Sequence, residues 1–431
     1  MKRIYIVLVF ILLGLLGQAQ QDLSLSDALS IGLEKNYNLQ ITQKSEEISN
    51  INNTWGNTGI MPSINFTTNA RENWNFNDNE NYRQQTITPE LSLNWTFFDG
   101  FSANISKQKF EELEELSKGN TAVLVENTIQ DIILAYYNCV LQEEMIAVYE
   151  ELEELSRDRL ERTENSKSIG ASTTYESLQA KTSWLEDQSN LLQQKVNYEN
   201  AIRVLNYTLA VEEDLFWNLS NDLNFDIPEY QLEDLKTRMN TSNQTLKNQY
   251  LNQSLQAKET ALAKSNYYPK LSLSTGINNS DLGNYYAGNT PNMRPNSTNT
   301  YIGLNLSFNI FNGGITRRSV QIAQISEESE QINTDQMEHS LNNQLLQMYS
   351  NYTLQQALLQ LADEKVNAAK LNVSLSDDKL RSGAINSFNY RDVQIIYMNA
   401  AIAQFRSIYS LIEANTDLLR ISGGIIKEFG E

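Results

Sequence analysis

Apolar and polar residues alternate in four short segments of the chain. Two of them, "PSINFTTNA" from Pro62 and "PKLSLSTGI" from Pro269, begin at a proline, and the other two lead into "FFDG" and "IFNGG". A period of two is typical of a strand with one apolar and one polar face. We therefore predict four two-faced strands. Their apolar faces carry Ile64, Phe66, Leu91, Leu93, Trp95, Leu271, Leu273, Leu304, Leu306 and Phe308.

A different pattern follows the second and the fourth strand. From Ser102 and from Ile315 the chain continues for many residues without proline, and apolar residues recur at steps of three and four. This period predicts long helices with coiled-coil-like packing, about 100 Å long at about 1.5 Å per residue. Gly170 and Gly383 interrupt these runs. We expect each glycine to reverse the chain into a second helix and so to form a helical hairpin.

The same plan occurs twice in the chain. A shift of 213 residues (304 − 91) superimposes Leu91 on Leu304, Gly100 on Gly313 and Gly170 on Gly383. Upstream the shift is 207 (269 − 62), which superimposes Asn36 on Asn243 and Pro62 on Pro269. The chain is therefore a tandem duplication. Each repeat contains a helical segment (about 26–55 and 230–264), two strands around a polar loop (about 71–85 and 278–298) and a hairpin.

The chain divides into four segments on this interpretation. Residues 1–19 have the features of a secretory signal peptide, with Lys2 and Arg3 before an apolar run and a small-residue cleavage site near Ala19. The apolar run has about 13 residues, fewer than the roughly 20 that a membrane helix needs. The first repeat takes residues 20–210, a linker takes 211–230, and the second repeat takes 231–431.

Composition narrows the range of functions. The formal net charge of -20 argues against a nucleic-acid partner, because phosphates attract basic surfaces. Cys139 is the only cysteine and His339 the only histidine, so a Ser-His-Asp triad, a Cys-His pair and a His/Cys zinc site are disfavoured. No phosphate-binding glycine loop is present either. We predict no catalytic residues, no metal site, no cofactor and a buried, unreactive Cys139.

Export and the strand pattern together predict the architecture. Amphipathic strands of about ten residues have the length of outer-membrane strands. Four strands cannot close a barrel, and lipid does not tolerate an open sheet edge, whereas twelve strands from three chains can close. We therefore predict a mixed fold. A long helical coiled-coil barrel continues from a transmembrane β-barrel with four strands per chain, twelve-stranded as a trimer, and the chain carries an internal tandem repeat.

Several coincident features carry a family resemblance. They are the duplication, the strands that begin at a proline, "FFDG" and "IFNGG", the long helices, and the "SIGAS" and "RSGAI" turns. With these features the chain resembles the TolC-like outer membrane efflux proteins over essentially its whole mature length. The resemblance implies a homotrimer in the outer membrane of a Gram-negative bacterium, in contact with its lipid and extending into the periplasm. It also implies passive export of small molecules or proteins, with a periplasmic membrane-fusion adaptor and an inner-membrane pump as partners, in a tripartite efflux or type I secretion system.

Two sets of site residues follow from the resemblance. The hairpin turns would contact the adaptor; they contain Gly170, Ala171, Ser172, Gly383, Ala384 and Ile385. The simpler interpretation is that each glycine only ends a helix and reverses the chain. Past the turns, the residues that match the family's tunnel constriction are Glu176, Asn389 and Asp392. Three copies of Asp392 and Glu176 around one axis would favour cations, whereas the alternative for each residue is a solvated helix face.

The strand-to-helix junctions form the third set of site residues. They comprise Phe98, Asp99 and Gly100 in the first repeat and Phe311, Asn312 and Gly313 in the second. An aromatic girdle at the membrane interface is one interpretation, and packing at the junction is the other, which we favour for Phe98 and Phe311.

A competing function is that of an exported periplasmic coiled-coil structural or adaptor protein without a pore. The four two-faced strands argue against it, because a coiled-coil stalk has no use for strands of membrane length. An enzyme is disfavoured because the catalytic residue sets are missing.

Overall fold

The computed structural model describes residues 21–76, 81–220, 223, 228–285, 291–293 and 296–429. The predicted signal peptide, residues 1–19, lies outside the described residues. The chain divides into two compact units. Unit 1 comprises Met1–Gln43, Asn120–Leu246 and Glu338–Glu431, and unit 2 comprises Lys44–Gly119 and Lys247–Met337. Each unit therefore combines corresponding segments of both repeats.

The order of elements repeats, as the sequence predicts. The first repeat contains β1 (Gln21–Leu23), α1 (Leu25–Lys35), α2 (Tyr37–Asn52), a 3-10 turn (Trp55–Thr58), β2 (Ser63–Phe76), β3 (Asn81–Phe98), α3 (Ser102–Ser168) and α4 (Thr174–Leu209). After β4 (Trp217–Leu219) follow α5 (Leu232–Ser242), α6 (Gln244–Ser265), β5 (Lys270–Tyr285), β6 (Pro291–Met293), β7 (Asn296–Ser307), α7 (Ile315–Arg381), α8 (Ser387–Ile421) and α9 (Ile425–Phe429). The tandem repeat is confirmed, whereas the boundaries 20–210, 211–230 and 231–431 stay predictions.

The long helices α3 and α7 have the predicted limits. Each has 67 residues, and each begins directly after its junction and ends directly before a glycine turn. Many polar and charged residues remain on these helices, as expected for surfaces that face water. In the described part of the chain, no helix combines the length and the apolar character that crossing a membrane requires.

The first helical segment of each repeat is not one helix, which corrects our expectation. A break separates α1 from α2 at Asn36, and another separates α5 from α6 at Asn243. Both residues leave the helical conformation, with ψ values of 124° and 117°. These asparagines occupy equivalent positions in the two repeats, so the break is itself duplicated.

Hydrogen bonds of the two asparagines explain the breaks. The Oδ1 atom of Asn36 accepts from the Leu39 backbone N–H at 3.2 Å, and that of Asn243 accepts from Leu246 at 2.8 Å. Each side chain thus caps the helix that follows it. The amide of Asn243 also donates to the Ile421 carbonyl at 2.8 Å, at the end of α8. The asparagine side chains therefore replace backbone hydrogen bonds that are lost where the helix is interrupted. The spacing of apolar residues gives no sign of these breaks.

The strands form one antiparallel sheet in unit 2, in the order β2-β3-β5-β7, and the short β6 also pairs with β5. The strands are longer than predicted, because β2 continues to Phe76 and β3 begins at Asn81. Most of the predicted loop 71–85 is therefore strand, and most of the predicted loop 278–298 is too. Cross-strand pairs support the extension, since Arg83 Nε lies 3.1 Å from Glu72 Oε1.

The register places the predicted apolar residues on one face of the sheet. Leu91 lies opposite Phe66 on β2 and opposite Ile277 on β5. Further opposite pairs are Ile64 with Leu93, Trp95 with Leu273, Leu273 with Leu304, and Leu271 with Leu306. Residues directly opposite each other in an antiparallel pair share a face. One correction concerns Phe308, which lies just past the end of β7 at Ser307.

The hydrophobic core of unit 1 surrounds the middle of α3. Ile129, Ile133 and Tyr136 are buried there together with residues of α4 and α8. The strand β1 pairs in parallel with β4, and Tyr136 Oη donates to the Leu23 carbonyl at 2.9 Å. Cys139 is buried in this core, as predicted, and burial raises the pKa of its thiol to about 12. The thiol is therefore not a reactive nucleophile at neutral pH.

Candidate functional site at the hairpin tips

The turn between α3 and α4 is a compact helix-ending motif. Gly170 has a φ of 78°, in the left-handed region. Its N–H donates to the Lys167 carbonyl at 3.0 Å, and the N–H of Ala171 donates to the Ser166 carbonyl at 2.8 Å. This pair of bonds is that of a Schellman motif, which requires a left-handed residue. The glycine therefore has a clear role in ending the helix.

The turn between α7 and α8 repeats this geometry. Gly383 has a φ of 76°, and its N–H donates to the Leu380 carbonyl at 3.1 Å. The N–H of Ala384 donates to the Lys379 carbonyl at 2.9 Å. A Cβ atom at either glycine would meet no other atom within 4 Å, so backbone conformation, and not crowding, calls for glycine. Among the predicted turn residues, Ser172 and Ile385 are half-buried, and the other four are exposed.

Glu176 has a local role in the first turn. Its carboxylate accepts from the Thr173 N–H at 2.9 Å and from Ser172 Oγ at 2.6 Å, and Thr173 Oγ1 accepts from the Glu176 N–H in return. This arrangement is a capping box at the start of α4. The hydrogen bonds from Ser172 and then from Thr173 lower the pKa of Glu176. The carboxylate is therefore ionised at neutral pH and directed back to its own turn.

The other two predicted constriction residues lie at the start of α8. Asn389 and Asp392 are both exposed. The helix is capped by Asn386, whose Oδ1 accepts from the backbone N–H groups of Phe388 and Asn389 at 3.1 and 2.9 Å. Asn389 is the repeat counterpart of Glu176, but its side chain is not needed to cap the helix. Asp392 is thus the predicted constriction carboxylate that the cap leaves available.

A buried ion pair behind the tips joins the two hairpins. Arg391 Nη2 on α8 lies 2.6 Å from Asp187 Oδ1 on α4, and the side chains are only 10% and 2% exposed. Close by, Arg159 Nε donates to Ser387 Oγ at 2.7 Å. Burial first, and then the charge of Arg391, lower the pKa of Arg159. The ion pair therefore ties α4 to α8, and the hydrogen bond ties α3 to α8.

Sequence reasoning missed this cluster, although the repeat contains a signal for it. The counterparts of Arg391 and Asp187 under the 213-residue shift are Leu178 and Ala400. Each partner of the ion pair thus has an apolar residue at the equivalent position of the other repeat. A search for paired departures from the repeat would have found them.

The strand-to-helix junctions use two consecutive left-handed residues. These are Gly100 and Phe101, with φ of 74° and 69°, and Gly313 and Gly314, with φ of 65° and 75°. Asp99 Oδ2 accepts from the Ala103 N–H at 2.9 Å, and Asn312 Nδ2 donates to Thr316 Oγ1 at 2.8 Å. The polar residue of each junction thus contacts the first turn of the following helix.

The two junctions differ in packing. The Phe98 and Phe101 rings meet edge to face at 5.2 Å, and Phe101 also meets the Tyr268 ring at 5.7 Å. Phe98 thus has the packing contacts that we predicted. Phe311 is 85% exposed within the single chain. The expected packing of Phe311 is therefore not provided by its own chain.

Two-faced strands joined to paired helical hairpins define this fold as that of an outer-membrane channel. The sequence profile of the outer membrane efflux proteins matches residues 31–209 and 238–424. The chain belongs to this outer membrane efflux protein family. It is accordingly an efflux channel of the outer membrane that extends into the periplasm, and the predicted resemblance and location are confirmed.

Solved channel structures share the fold at low sequence identity. The Campylobacter jejuni CmeC outer membrane channel has a TM-score of 0.76 and 15% identity, with 93% of this chain and 85% of that chain covered. The CusC structure has a TM-score of 0.78 and 11% identity, with 94% and 93% covered. The Vibrio cholerae outer membrane protein VceC has a TM-score of 0.74 and 12% identity, with 93% and 96% covered. No curated protein sequence matches the chain significantly.

The buried ion pair predicts a strong effect of removing one partner. Asp187→Ala would leave the Arg391 charge buried and uncompensated, which costs about 3–5 kcal/mol. We expect a clear fall of the thermal unfolding midpoint in detergent. Asp187→Ala with Arg391→Leu, the residues of the other repeat, should recover most of the loss. As a control, Glu47→Gln at the exposed Lys44–Glu47 pair should leave the midpoint unchanged. Equal midpoints for Asp187→Ala and the unchanged protein would contradict this role.

Proposed function

We propose that three copies of this chain form a passive export duct, the outer component of a tripartite efflux or type I secretion system. The observation that carries the proposal is the sheet of unit 2. Its apolar face is exposed in the single chain, and each of its outer strands has a partner on only one side among the described residues. Such a sheet is incomplete as it stands.

The unpaired edges require further strands. Within the described ranges, β2 pairs with β3 and β7 pairs with β5, so one edge of each remains open. Lipid has no water to satisfy the backbone groups at an open edge, and the smallest outer-membrane barrels have about eight strands. Three copies, with β7 of each beside β2 of the next, supply twelve strands and leave no edge. This closure supports the homotrimer and its contact with outer-membrane lipid.

The opposite face of the sheet supports conduction. Ser92, Asn94 and Thr96 on β3 alternate with the apolar residues, and Ser272 and Ser274 lie on β5 opposite Thr96 and Asn94. In a closed barrel these residues would line a water-filled interior. Cargo would cross this interior by diffusion, and its selection would belong to the pump.

The hairpin tips are the proposed contact with a periplasmic adaptor, which would link the duct to an inner-membrane pump. The turns of Gly170 and Gly383 are exposed and have the same backbone geometry. Three chains would therefore present six similar surfaces to the adaptor. The helix-ending role of each glycine is compatible with this contact, because docking needs a turn of fixed shape.

The proposed constriction lies at Asp392, with Asn389 and Glu176. Asp392 is exposed on α8, whereas the carboxylate of Glu176 caps α4. We therefore assign the main ring of negative charge to three copies of Asp392. Glu176 contributes by its charge and by the rigidity of the turn.

The constriction assignment predicts an electrical effect. Asp392→Ala with Glu176→Ala should enlarge the conductance in planar bilayers, and Asp392→Asn alone should lower the preference for cations, because it removes negative charge from the narrowest section. The reversal potential in a salt gradient measures this preference. Asp378→Asn, at an exposed carboxylate of α7, is the matched control and should leave it unchanged. If the Asp392 variants conduct like the unchanged protein, the assignment is wrong.

The adaptor contact predicts a defined crosslinking pattern. Cysteines that replace Ala171 and Ala384 should crosslink to the adaptor in cells, because both positions are exposed and the native Cys139 is buried. A cysteine at Thr298, an exposed position of β7, is the control and should give no such product. Adaptor crosslinks from Thr298 and none from the tips would reject docking at the tips.

A further inference from the structure

Inside unit 2, the two repeats meet along a polar seam between α3 and α6. Lys258 Nζ lies 3.6 Å from Glu112 Oε1, and Ser254 Oγ donates to the same carboxylate at 2.9 Å. A second ion pair joins Lys109 to Glu259. The contact between the two repeats of one chain is thus rich in charge at this level.

Because the chain is duplicated, this seam has an equivalent, in which each residue is replaced by its counterpart in the other repeat. In a closed ring of copies, the face of α3 that meets α6 has its equivalent on α7. The face of α6 that meets α3 has its equivalent on α2 of the next copy. A residue of α3 then maps to the residue 213 positions later, and a residue of α6 to the residue 207 positions earlier. Three of the four paired charges map to isoleucine: Lys258 to Ile51, Glu112 to Ile325 and Lys109 to Ile322. The fourth, Glu259, maps to Asn52.

These isoleucines are unusually exposed for their residue type. Ile51 is 63% exposed, and Ile322 and Ile325 are each 65% exposed in the single chain. They lie on α2 and α7, the helices that adjoin the open strands β2 and β7 in sequence. Exposed isoleucines at these two places indicate two interaction surfaces. Their positions relative to the repeat identify the partner as a second copy.

The junctions support the same mapping. A Cβ atom at Gly100 would lie 2.4 Å from the Ser265 carbonyl oxygen and 2.9 Å from Tyr268 Cβ, so the second repeat approaches this glycine closely. At Gly313 there is open space. The residues that map onto Ser265 and Tyr268 are Thr58 and Met61, and Met61 is exposed. A neighbouring copy would therefore fill the space beside Gly313 and cover Phe311.

Unit 1 shows an equivalent asymmetry. Several core residues of α3 have exposed apolar counterparts on α7; among these pairs are Leu141 with Leu354, Met145 with Leu358, and Val148 with Leu361. Two residues of α8 that pack against this core, Met398 and Phe405, have the exposed counterparts Leu185 and Leu192 on α4. In this unit too, the second contact surface remains uncovered in the single chain.

We propose that neighbouring copies join through an apolar seam in which Ile51 of one copy packs against Ile325 of the next, where the single chain has the Lys258–Glu112 ion pair. The inference rests on the proposed trimer and adds its contact residues. The different chemistry gives specificity, because α2 of another copy in the place of α6, on the face of α3 that carries Glu112, would bury Glu112 against Ile51. At this level of unit 2, the charged seam thus closes within a chain, and the apolar seam closes between chains.

Paired cysteines test the seam directly. Ile51→Cys with Ile325→Cys should give covalent dimers and trimers with a short bis-maleimide, and Cys139 is buried and does not interfere. Ile51→Cys with Ile332→Cys is the control, since Ile332 is about equally exposed on α7 but lies two turns away from Ile325. This pair should give no covalent dimers or trimers. Glu112→Cys with Lys258→Cys should crosslink only within a chain. Covalent dimers and trimers from the control pair and not from the main pair would overturn the proposal.

A charge exchange tests the apolar chemistry. Ile51→Lys should lower the trimer fraction by more than about tenfold, because burying an unpaired charge costs more than the ~1.4 kcal/mol of a factor of ten. Ile51→Lys with Ile325→Glu, which copies the ion pair of the single chain, should restore trimers. The proposed seam would be rejected if Ile51→Lys formed as many native trimers as the unchanged protein and the Ile51→Cys, Ile325→Cys pair gave no crosslinked products. The proposed export duct would be unaffected by that result. A monomeric unchanged protein would reject the proposed trimer itself.

Discussion

The free-energy cost of an unpaired backbone edge in lipid governs how the sheet of this protein can be arranged. Each N–H or C=O group without a partner in hydrocarbon costs several kilocalories per mole. The sheet of this chain has an open edge on β2 and another on β7 within the described residues. Exposure of its apolar face to water is unfavourable. Closure with further copies would satisfy both requirements. The oligomer that we propose would thus be a consequence of backbone hydrogen bonding.

Duplication would make this closure possible with one gene product. The two repeats present similar faces, so in the trimer that we propose the contact between chains has the geometry of the contact within a chain. At the seam of unit 2 its chemistry is different. Lys258 and Glu112 form an ion pair, whereas their counterparts Ile51 and Ile325 are exposed and apolar. The counterparts of the Arg391–Asp187 pair, Leu178 and Ala400, are apolar too, and of these Leu178 is exposed and Ala400 is buried in the single chain.

Periodicity was sufficient to predict the elements whose two faces meet different environments. The limits of α3 and α7 and the shared face of Phe66, Leu91 and Leu304 follow from the sequence because burial or lipid selects one face. Alternation weakens beyond residue 71. Trp74 and Phe76 continue the face of Phe66, but Glu72 interrupts it, so the extension of β2 gave only a weak signal. The breaks at Asn36 and Asn243 were missed because the apolar helical period continues across them.

The candidate site was predictable to a lesser extent. The glycine turns were identified because a left-handed residue at a helix end favours glycine, and Gly170 and Gly383 have that conformation. The capping role of Glu176 was not recognised, although Thr173 and Glu176 have the spacing of a capping box. The buried Arg391–Asp187 pair depends on a contact between two hairpins, and no local pattern reports such a contact.

We propose that the chain conducts ions as an oligomer in the outer membrane. This proposal is tested by the current through a planar bilayer to which the purified, unchanged protein has been added. We expect discrete, uniform current steps with a preference for cations. No current steps, although the protein has inserted as shown by its recovery with the membrane, would show that the chain does not form a duct.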